Sequence, residues 1–322
     1  MKPANEILSI VNQALADMPF DRQPIRLYEP VKYVLSLGGK RIRPVLMLMA
    51  YGLYRDELET ILPTALGIET YHNYTLLHDD VMDKADVRRG KPTVHKVWDE
   101  NTAILSGDSM LVLAYQLMSQ TDDKHLRAVL ELFTETALEI GEGQQYDLDF
   151  ESRMDVREEE YIEMIRLKTS VLLACALKIG AIQADAPTAD ADLLYRFGES
   201  LGLAFQLQDD LLDVYGDAKT FGKRIGGDIL ENKKTFMLIN ALRLANDSQR
   251  AELERWLAAP PTQEKITAVT ALYDAIGIRA LAEQKINDYF DLAFTCLDRV
   301  ALPSERKQPL RDFALSLMGR EN

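Results

Sequence analysis

The sequence predicts an all-α protein, a large helical bundle with its ligand site between facing helices. Three observations predict this fold class. Apolar residues recur every three to four positions along most of the chain, no segment alternates apolar and polar residues as a strand does, and glycine or proline separates the periodic stretches. With 322 residues, of which 47% are hydrophobic, the chain is long enough to bury a large core.

Each predicted helix is a periodic stretch that begins or ends near a glycine, a proline or a capping residue. Pro63 suits the first turn of the fourth helix, and Asp155 with Glu158 forms a capping box at the start of the seventh. The predicted helices cover residues 3–17, 28–37, 43–54, 60–84, 101–119, 124–149, 156–181, 189–214, 228–246, 249–258, 262–275, 277–300 and 304–319.

Composition favours one domain over residues 1–322, because no flexible linker or low-complexity run interrupts the chain. Cys175 and Cys296 lie in apolar helical stretches, so we expect free core thiols in a protein of the reducing cytoplasm. No run reaches the roughly 18 apolar residues of a membrane span. The net charge of −14 argues against nucleic acid or an anionic membrane as a partner.

The most informative feature is an Asp-Asp-x-x-Asp motif that occurs twice, each time within a predicted helix. The first and last aspartates are four residues apart, so their carboxylates share a face and repel unless a cation lies between them. Ligands with oxygen donors alone suit Mg²⁺. A solvated acidic face would explain one copy better than two. The six candidate metal ligands are Asp79, Asp80, Asp83, Asp209, Asp210 and Asp213.

Basic residues cluster near the first motif, against the charge of the chain as a whole. Arg88 and Arg89 follow it, and their guanidinium groups suit phosphate oxygens. Upstream, a glycine pair precedes Lys40, Arg41 and Arg43 at a predicted helix start, where the helix dipole also attracts anions. This segment alone would be a solvated basic turn. Beside two acidic motifs, it indicates an anion site.

Polar residues also interrupt the apolar pattern around the second motif. Gln206 precedes the motif, Lys223 and Lys233 follow it, and Lys168 with Thr169 lies inside an otherwise apolar predicted helix. Because burying such groups is costly unless a partner satisfies them, we expect them to line a site.

Together these motifs resemble the trans-isoprenyl diphosphate synthases, the polyprenyl synthetase family that includes farnesyl and geranylgeranyl diphosphate synthases. The resemblance covers nearly the whole chain. It implies the isoprenoid synthase fold, a helical bundle around a central apolar cavity, and a homodimer. It also implies a prenyltransferase that condenses isopentenyl diphosphate with dimethylallyl, geranyl or farnesyl diphosphate, giving a C15 to C20 all-trans product by ionisation, condensation and elimination.

The resemblance assigns metal and allylic-substrate roles. Asp79 and Asp83 would bind two Mg²⁺ ions and Asp209 a third, with the other three aspartates of the motifs in direct or water-mediated support. Three catalytic cations, Arg88, Lys168 and Lys223, would bind the allylic diphosphate. Lys233 would lie near its outer edge.

The resemblance also implies a second diphosphate site and a site for the carbocation. His72 lies two helical turns before Asp79 and can point into the same cavity. The backbone carbonyls of Lys168 and Thr169, and the amide of Gln206, would stabilise the allylic cation. The residues expected to bind isopentenyl diphosphate are Lys40, Arg43, His72 and Arg89.

Product length should depend on side chains in the turns before the first motif. Tyr74 and Tyr71 are large, whereas Thr75 is small. The motif also lacks the two-residue insertion of the usual bacterial farnesyl enzymes. A floor formed by Tyr74 or Tyr71 therefore favours C20 slightly over C15.

Three alternatives remain open at this point. A terpene cyclase also ionises allylic diphosphates, but its second motif is usually of an Asn/Ser/Glu type and it needs no second diphosphate site. A non-catalytic subunit of a heteromeric synthase tends to lose one acidic motif, and both are intact here. An acidic helical scaffold would bind no substrate.

Overall fold

The structure is a computed structural model that describes residues 2–216 and 225–318. Helices dominate this part of the chain, which confirms the predicted all-α class. The helices are α1 (Ala4–Ala16), α2 (Ile25–Ser36), α3 (Ile42–Gly52), α4 (Leu62–Met82), α5 (Val94–Val97), α6 (Glu100–Met118), α7 (Asp123–Glu151), α8 (Glu158–Ile165), α9 (Val171–Gln183), α10 (Thr188–Tyr215), α11 (Gly227–Leu230), α12 (Phe236–Leu244), α13 (Asp247–Leu257), α14 (Gln263–Ile276), α15 (Ile278–Arg299) and α16 (Ser304–Met318).

Besides α5, a 3₁₀ turn, a π-helical segment and a β-hairpin were not predicted from the periodicity. A 3₁₀ turn, Leu58–Thr60, precedes α4, and a π-helical segment, Arg166–Ser170, joins α8 to α9. The strands β1 (Val87–Arg88) and β2 (Lys91–Pro92) form an antiparallel hairpin. Strands of two residues are too short to show an alternating pattern, which explains why no sequence pattern indicated them.

The capping box predicted at Asp155 and Glu158 is wrong. Arg153 Nε donates to the Asp155 carboxylate over 2.9 Å, so that carboxylate binds a guanidinium outside the helix. The helix begins two residues later than expected, and Glu160 accepts the backbone N–H of Arg157 over 3.0 Å. The prediction for Pro63 is confirmed, since it lies in the first turn of α4.

The described residues form two compact units. The first contains residues 2–134, 175–195 and 300–313, and the second contains residues 135–174, 196–216, 225–299 and 314–318. The expectation of a single domain over residues 1–322 stays a prediction.

In the first unit, α4 packs along α6 and also contacts α3. Two glycines allow the close approach of α4 and α6. A Cβ on Gly67 would lie 3.2 Å from the carbonyl oxygen of Ala114, and a Cβ on Gly107 would clash with the ring of His78. The His78 ring also contacts the backbone oxygen of Ile104, over 3.1 Å. These contacts fix the C-terminal half of α4, which carries the first acidic motif.

In the second unit, α12 packs against α8, α14 and α15. Its residues Phe236 and Met237 are almost completely buried, as is Phe197 of α10. This core supports the start of α8, since Lys285 of α15 forms an ion pair with Glu158 over 2.8 Å.

Cys175 and Cys296 are buried thiols that form no disulfide with each other, as predicted. Across residues 2–216 and 225–318, none of the helices has the length and hydropathy that a membrane crossing requires.

Candidate active site

The first acidic motif lies at the C-terminal end of α4. Asp79 and Asp80 belong to the last turn, and Asp83 caps the helix. Three carboxylates at the negative end of a helix dipole repel each other and attract cations. Among the described residues, no three His, Cys, Asp or Glu side chains form a complete metal site. Carboxylate oxygens suit Mg²⁺, which usually completes its coordination with water or substrate oxygens.

Arg88 is bound to this motif. Its Nε and Nη2 atoms donate to Asp80 Oδ1 over 2.9 and 2.6 Å, and Nη2 lies 3.8 Å from Asp79 Oδ2. Asp80 is 5% exposed, and burial raises its pKa although Arg88 opposes that shift. The guanidinium is thus fixed beside the carboxylates with part of its hydrogen-bonding capacity facing Asp79.

The β1–β2 hairpin positions the second arginine of the pair. Its turn residues Arg89 and Gly90 both have positive φ angles, 52° and 74°, as a tight hairpin turn requires. Arg89 Nη1 donates to the carbonyl oxygen of Gly38 and lies 3.4 Å from Asn73 Oδ1. A Cβ on Gly39 would lie 2.8 Å from Arg89 Cζ, so Gly39 leaves the space that the guanidinium occupies.

Arg43 and His72 form a second cluster of basic residues in the same unit. Arg43 Nη1 donates to His72 Nε2 over 3.2 Å, which requires that nitrogen to be unprotonated. Removal from water, and then Arg43, lower the pKa of His72 well below its usual 6.5. Burial lowers the pKa of Arg43 to about 10, and its Nε is a buried donor without a protein acceptor. An unsatisfied donor is costly, and an anion would satisfy it.

Arg41 has a structural role. It is 4% exposed, adopts φ 48°, and forms a buried ion pair with Glu69 over 2.7 Å. Glu69 also accepts from Asn73 Nδ2 over 2.9 Å. Sequence reasoning missed Glu69 and Asn73. Their signal was a pair of polar residues four positions apart within an apolar helical stretch.

Several of these residues line a small pocket in the first unit. Its polar wall contains Asn73, Asp80, Arg88 and Arg89, and Leu77 contributes to the apolar wall. A carboxylate of the first motif and both arginines of the hairpin therefore line one pocket. Lys40 is exposed.

The predicted product-length residues join an aromatic cluster. Tyr71 is 2% exposed, with ring centroids 5.4 Å from Tyr74 and 5.2 Å from Phe133. Tyr74 is half-buried and packs against His78 at 4.8 Å. Thr75 Oγ1 donates to the carbonyl oxygen of His72 over 2.8 Å. Tyr74 is thus the more accessible of the two tyrosines.

The second acidic motif lies in the last turns of α10. Asp213 is 8% exposed and accepts the backbone N–H of Asp228 over 3.0 Å, while its own carbonyl oxygen accepts from Gly226 N over 2.6 Å. A Cβ on Gly227 would lie 3.3 Å from Asp213 Oδ1. Asp213 therefore holds the start of α11. Asp209 is partly exposed.

Lys168 and Thr169 lie in the π-helical segment, a wide turn that is frequent at functional sites. Two glycines make room for it. A Cβ on Gly143 would clash with the backbone nitrogen of Lys168, and one on Gly202 would lie 2.6 Å from Ser170 Cα. The sequence showed only that polar residues interrupt this stretch.

The polar side chains around the π-helical segment are paired. Lys168 Nζ donates to Asp147 Oδ2 over 2.6 Å, and Thr169 Oγ1 donates to Gln206 Oε1 over 3.2 Å. Burial raises the pKa of Asp147, but Lys233 and Lys168 outweigh it, and the net pKa is below the usual range.

Asp210 accepts two hydrogen bonds from side chains. The Tyr161 hydroxyl donates to Oδ2, and Gln206 Nε2 donates to Oδ1 over 3.1 Å. Burial, and then the charge of Asp228, raise the pKa of Asp210, whereas the donors Tyr161 and Gln206 and the charge of Lys233 oppose that shift. Sequence reasoning missed Tyr161, which no motif distinguishes from the other core tyrosines.

A family model described as Polyprenyl synthetase matches residues 24–276 of this chain. The chain belongs to the polyprenyl synthetase family.

Individual relatives agree with this assignment. A short chain isoprenyl diphosphate synthase from Methanocaldococcus jannaschii is 44% identical over 71% of this chain and 70% of the relative. A geranylfarnesyl diphosphate synthase from Natronomonas pharaonis is 37% identical over 97% of this chain and 95% of the relative. A crystal structure of a geranylgeranyl pyrophosphate synthase has a TM-score of 0.94 and 42% identity, covering 100% of both chains.

These similarities confirm three predictions: the family, its all-α isoprenoid synthase fold, and the assignment as a prenyltransferase of the short-chain trans type. They give no support to the terpene cyclase or to the non-catalytic subunit.

Within each unit, the structure brings together most of the residues that were predicted for the site. In the first unit, one group contains Arg88 with the first motif, and another contains Arg43 with His72. In the second unit, Lys168 and Thr169 have defined partners. Lys233 is exposed, and Lys223 lies outside the described residues.

Proposed function

We propose that this polyprenyl synthetase condenses isopentenyl diphosphate with an allylic diphosphate to give a short-chain all-trans prenyl diphosphate. One observation carries the proposal. Asp80, Arg88 and Arg89 line one pocket, so a carboxylate suited to Mg²⁺ and two guanidinium groups suited to phosphate lie side by side.

Two groups of cations would bind the two diphosphates. Arg43 supports the isopentenyl site, because its buried Nε has no protein acceptor. A diphosphate oxygen could accept a hydrogen bond from it. His72 and Arg89 would complete that site with Lys40. The allylic diphosphate would be bound by Arg88, Lys168, Lys223 and Lys233.

Magnesium would be held by the acidic motifs, with Asp79 and Asp83 for two ions and Asp209 for a third. The fit is supported by the chemistry of the donors, which are carboxylates alone. When bound, the ions would stabilise negative charge on the departing pyrophosphate.

The remaining residues act on charge that develops during the reaction. As the allylic C–O bond breaks, pyrophosphate takes the bonding electrons and a carbocation remains. Lys168 would stabilise the departing anion, where one preorganised donor is worth about 2.7–4 kcal/mol. Carbonyl dipoles at Thr169 and Gln206 would stabilise the cation until the double bond of isopentenyl diphosphate attacks it. The released proton would leave to pyrophosphate.

We propose a C20 product in preference to C15. The half-buried ring of Tyr74, packed on Tyr71 and His78, supports a floor below the first motif. The similar proteins include a geranylgeranyl and a geranylfarnesyl synthase, whose names indicate C20 and C25.

A homodimer and a cytoplasmic location also belong to the proposal. On α6, Leu105 and Val112 are 58% and 68% exposed, which gives that helix an apolar surface that a second copy could cover. Light scattering after size-exclusion chromatography tests the dimer.

The function is tested with purified protein, Mg²⁺, isopentenyl diphosphate and one allylic primer at a time. Products are dephosphorylated and identified by reversed-phase chromatography. We expect a chain-lengthened alcohol that disappears on chelation of Mg²⁺ and in Asp79→Asn. If none of the three primers yields a longer chain, the proposal is wrong.

A further inference from the structure

Four side chains of the second unit form a continuous chain of hydrogen bonds. The Tyr161 hydroxyl donates to Asp210 Oδ2, and Gln206 Nε2 donates to Asp210 Oδ1 over 3.1 Å. Thr169 Oγ1 then donates to Gln206 Oε1 over 3.2 Å. These hydrogen bonds join α8, α10 and the π-helical segment.

This series of hydrogen bonds fixes the orientation of the Gln206 side chain. An amide can rotate by half a turn and exchange its oxygen and nitrogen, but a carboxylate can only accept and therefore selects the nitrogen. The oxygen is then directed to the Thr169 hydroxyl. Asp210 is itself held, because Tyr161 donates to its other oxygen and is only 1% exposed.

We propose that Tyr161 and Asp210 are positioning residues that hold the Gln206 amide and the Thr169 hydroxyl in one orientation for prenyl transfer. The inference rests on the proposed function, in which the Gln206 amide and the backbone carbonyl of Thr169 stabilise the allylic cation. It gives Asp210 a role beyond the direct or water-mediated metal support expected of it, because each of its carboxylate oxygens accepts a hydrogen bond from a protein side chain.

The arrangement has a physical advantage over a free amide. A dipole that is already oriented needs no reorganisation when the cation forms, and such preorganisation is the usual source of electrostatic catalysis. A buried carboxylate with two donors also retains a fixed position, since losing either donor leaves part of it unsatisfied. Tyr161 thus acts on the reaction only through Asp210 and Gln206.

The test removes the Tyr161 hydroxyl and keeps the ring. We expect Tyr161→Phe to lower kcat about tenfold, the loss that corresponds to about 1.4 kcal/mol. We expect the KM values for both diphosphates to change less than about twofold, because the substrate-binding cations are untouched. Calorimetric titration with the allylic diphosphate alone should likewise give an unchanged Kd.

A matched control exists in the first unit. The Tyr54 hydroxyl donates to Asp190 Oδ2 over 2.8 Å, and Asp190 is a buried carboxylate outside both acidic motifs. Tyr54→Phe removes the same kind of hydrogen bond and should lower the melting temperature by a similar amount with kcat unchanged. A purely structural role for Tyr161 predicts the same result for both variants.

A double-mutant cycle distinguishes positioning from general loosening. In a Gln206→Ala background, Tyr161→Phe should change kcat less than about twofold, because the group that it positions is gone. A tenfold loss in both backgrounds, or an unchanged kcat in Tyr161→Phe, would overturn the inference. If Tyr161→Phe does not fold, Asp210→Asn in the two backgrounds replaces it, with the same expected dependence on Gln206. If the unmodified protein makes no product, the proposed function fails instead.

Discussion

At the residue scale, the contact between Arg43 and His72 shows how a neighbour sets a protonation state. Arginine can only donate, so His72 accepts and remains neutral. The resemblance to the family implied that these residues lie in one site. It did not show that they touch, because Arg43 lies in α3 and His72 in α4, and helical periodicity does not predict contacts between two helices.

The neutral state of His72 predicts how stability depends on pH. In the folded protein its pKa is far below the usual 6.5, so below that pH the unfolded chain binds a proton that the folded chain does not. The free energy of unfolding should fall as pH drops from 7 to 5, by up to about 1.4 kcal/mol per pH unit from this group. Urea titrations of the protein and of His72→Gln measure it, and parallel curves would contradict the prediction.

Tyr74 offers a second prediction at this scale. Replacing its ring by a methyl group in Tyr74→Ala should remove the floor and lengthen the main product by at least one isoprene unit. Tyr74→Phe keeps the ring and should leave the product unchanged. Chromatography of the dephosphorylated products compares the two variants. Equal product lengths in both would show that the floor lies elsewhere.

At the element scale, the hairpin and the π-helical segment determine where the functional cations lie. Neither was predicted, because a two-residue strand has no periodicity and a π-turn has the same composition as the helix around it. Each depends on glycines that admit a close neighbour. Gly39 leaves space for the Arg89 guanidinium, and Gly143 allows close approach to the backbone at Lys168.

The role of Gly143 is tested with Gly143→Ala. A methyl group there meets the backbone of Lys168, which cannot move as a flexible side chain would. We expect a loss of about 1–3 kcal/mol in the free energy of unfolding and a lower kcat. Gly141→Ala is the matched control in the same helix, with no atom within 4 Å of the new Cβ. It should be neutral or stabilising by about 0.5–1 kcal/mol.

At the scale of the whole molecule, the acidic motifs and the basic clusters have opposite charges, and each unit contains both. Bound Mg²⁺ and a diphosphate should therefore stabilise the protein together more than either does alone. A ligand present at 100 times its Kd adds about 2.7 kcal/mol. We expect Mg²⁺ with inorganic pyrophosphate to raise the melting temperature by several degrees, and Asp79→Asn to reduce that rise. Equal shifts in the two proteins would argue against the metal assignment.

The sequence by itself determined the helical class, the family and the positions of both acidic motifs, because helical periodicity and the spacing of Asp79 and Asp83 depend on neighbouring residues alone. Only the tertiary structure decided which cationic side chains are buried and which residues they contact. It buried Arg41 against Glu69 while Arg43 kept an unsatisfied donor, and it joined Tyr161 to Asp210. Such pairs come from different helices, and their contact depends on packing that no local pattern encodes.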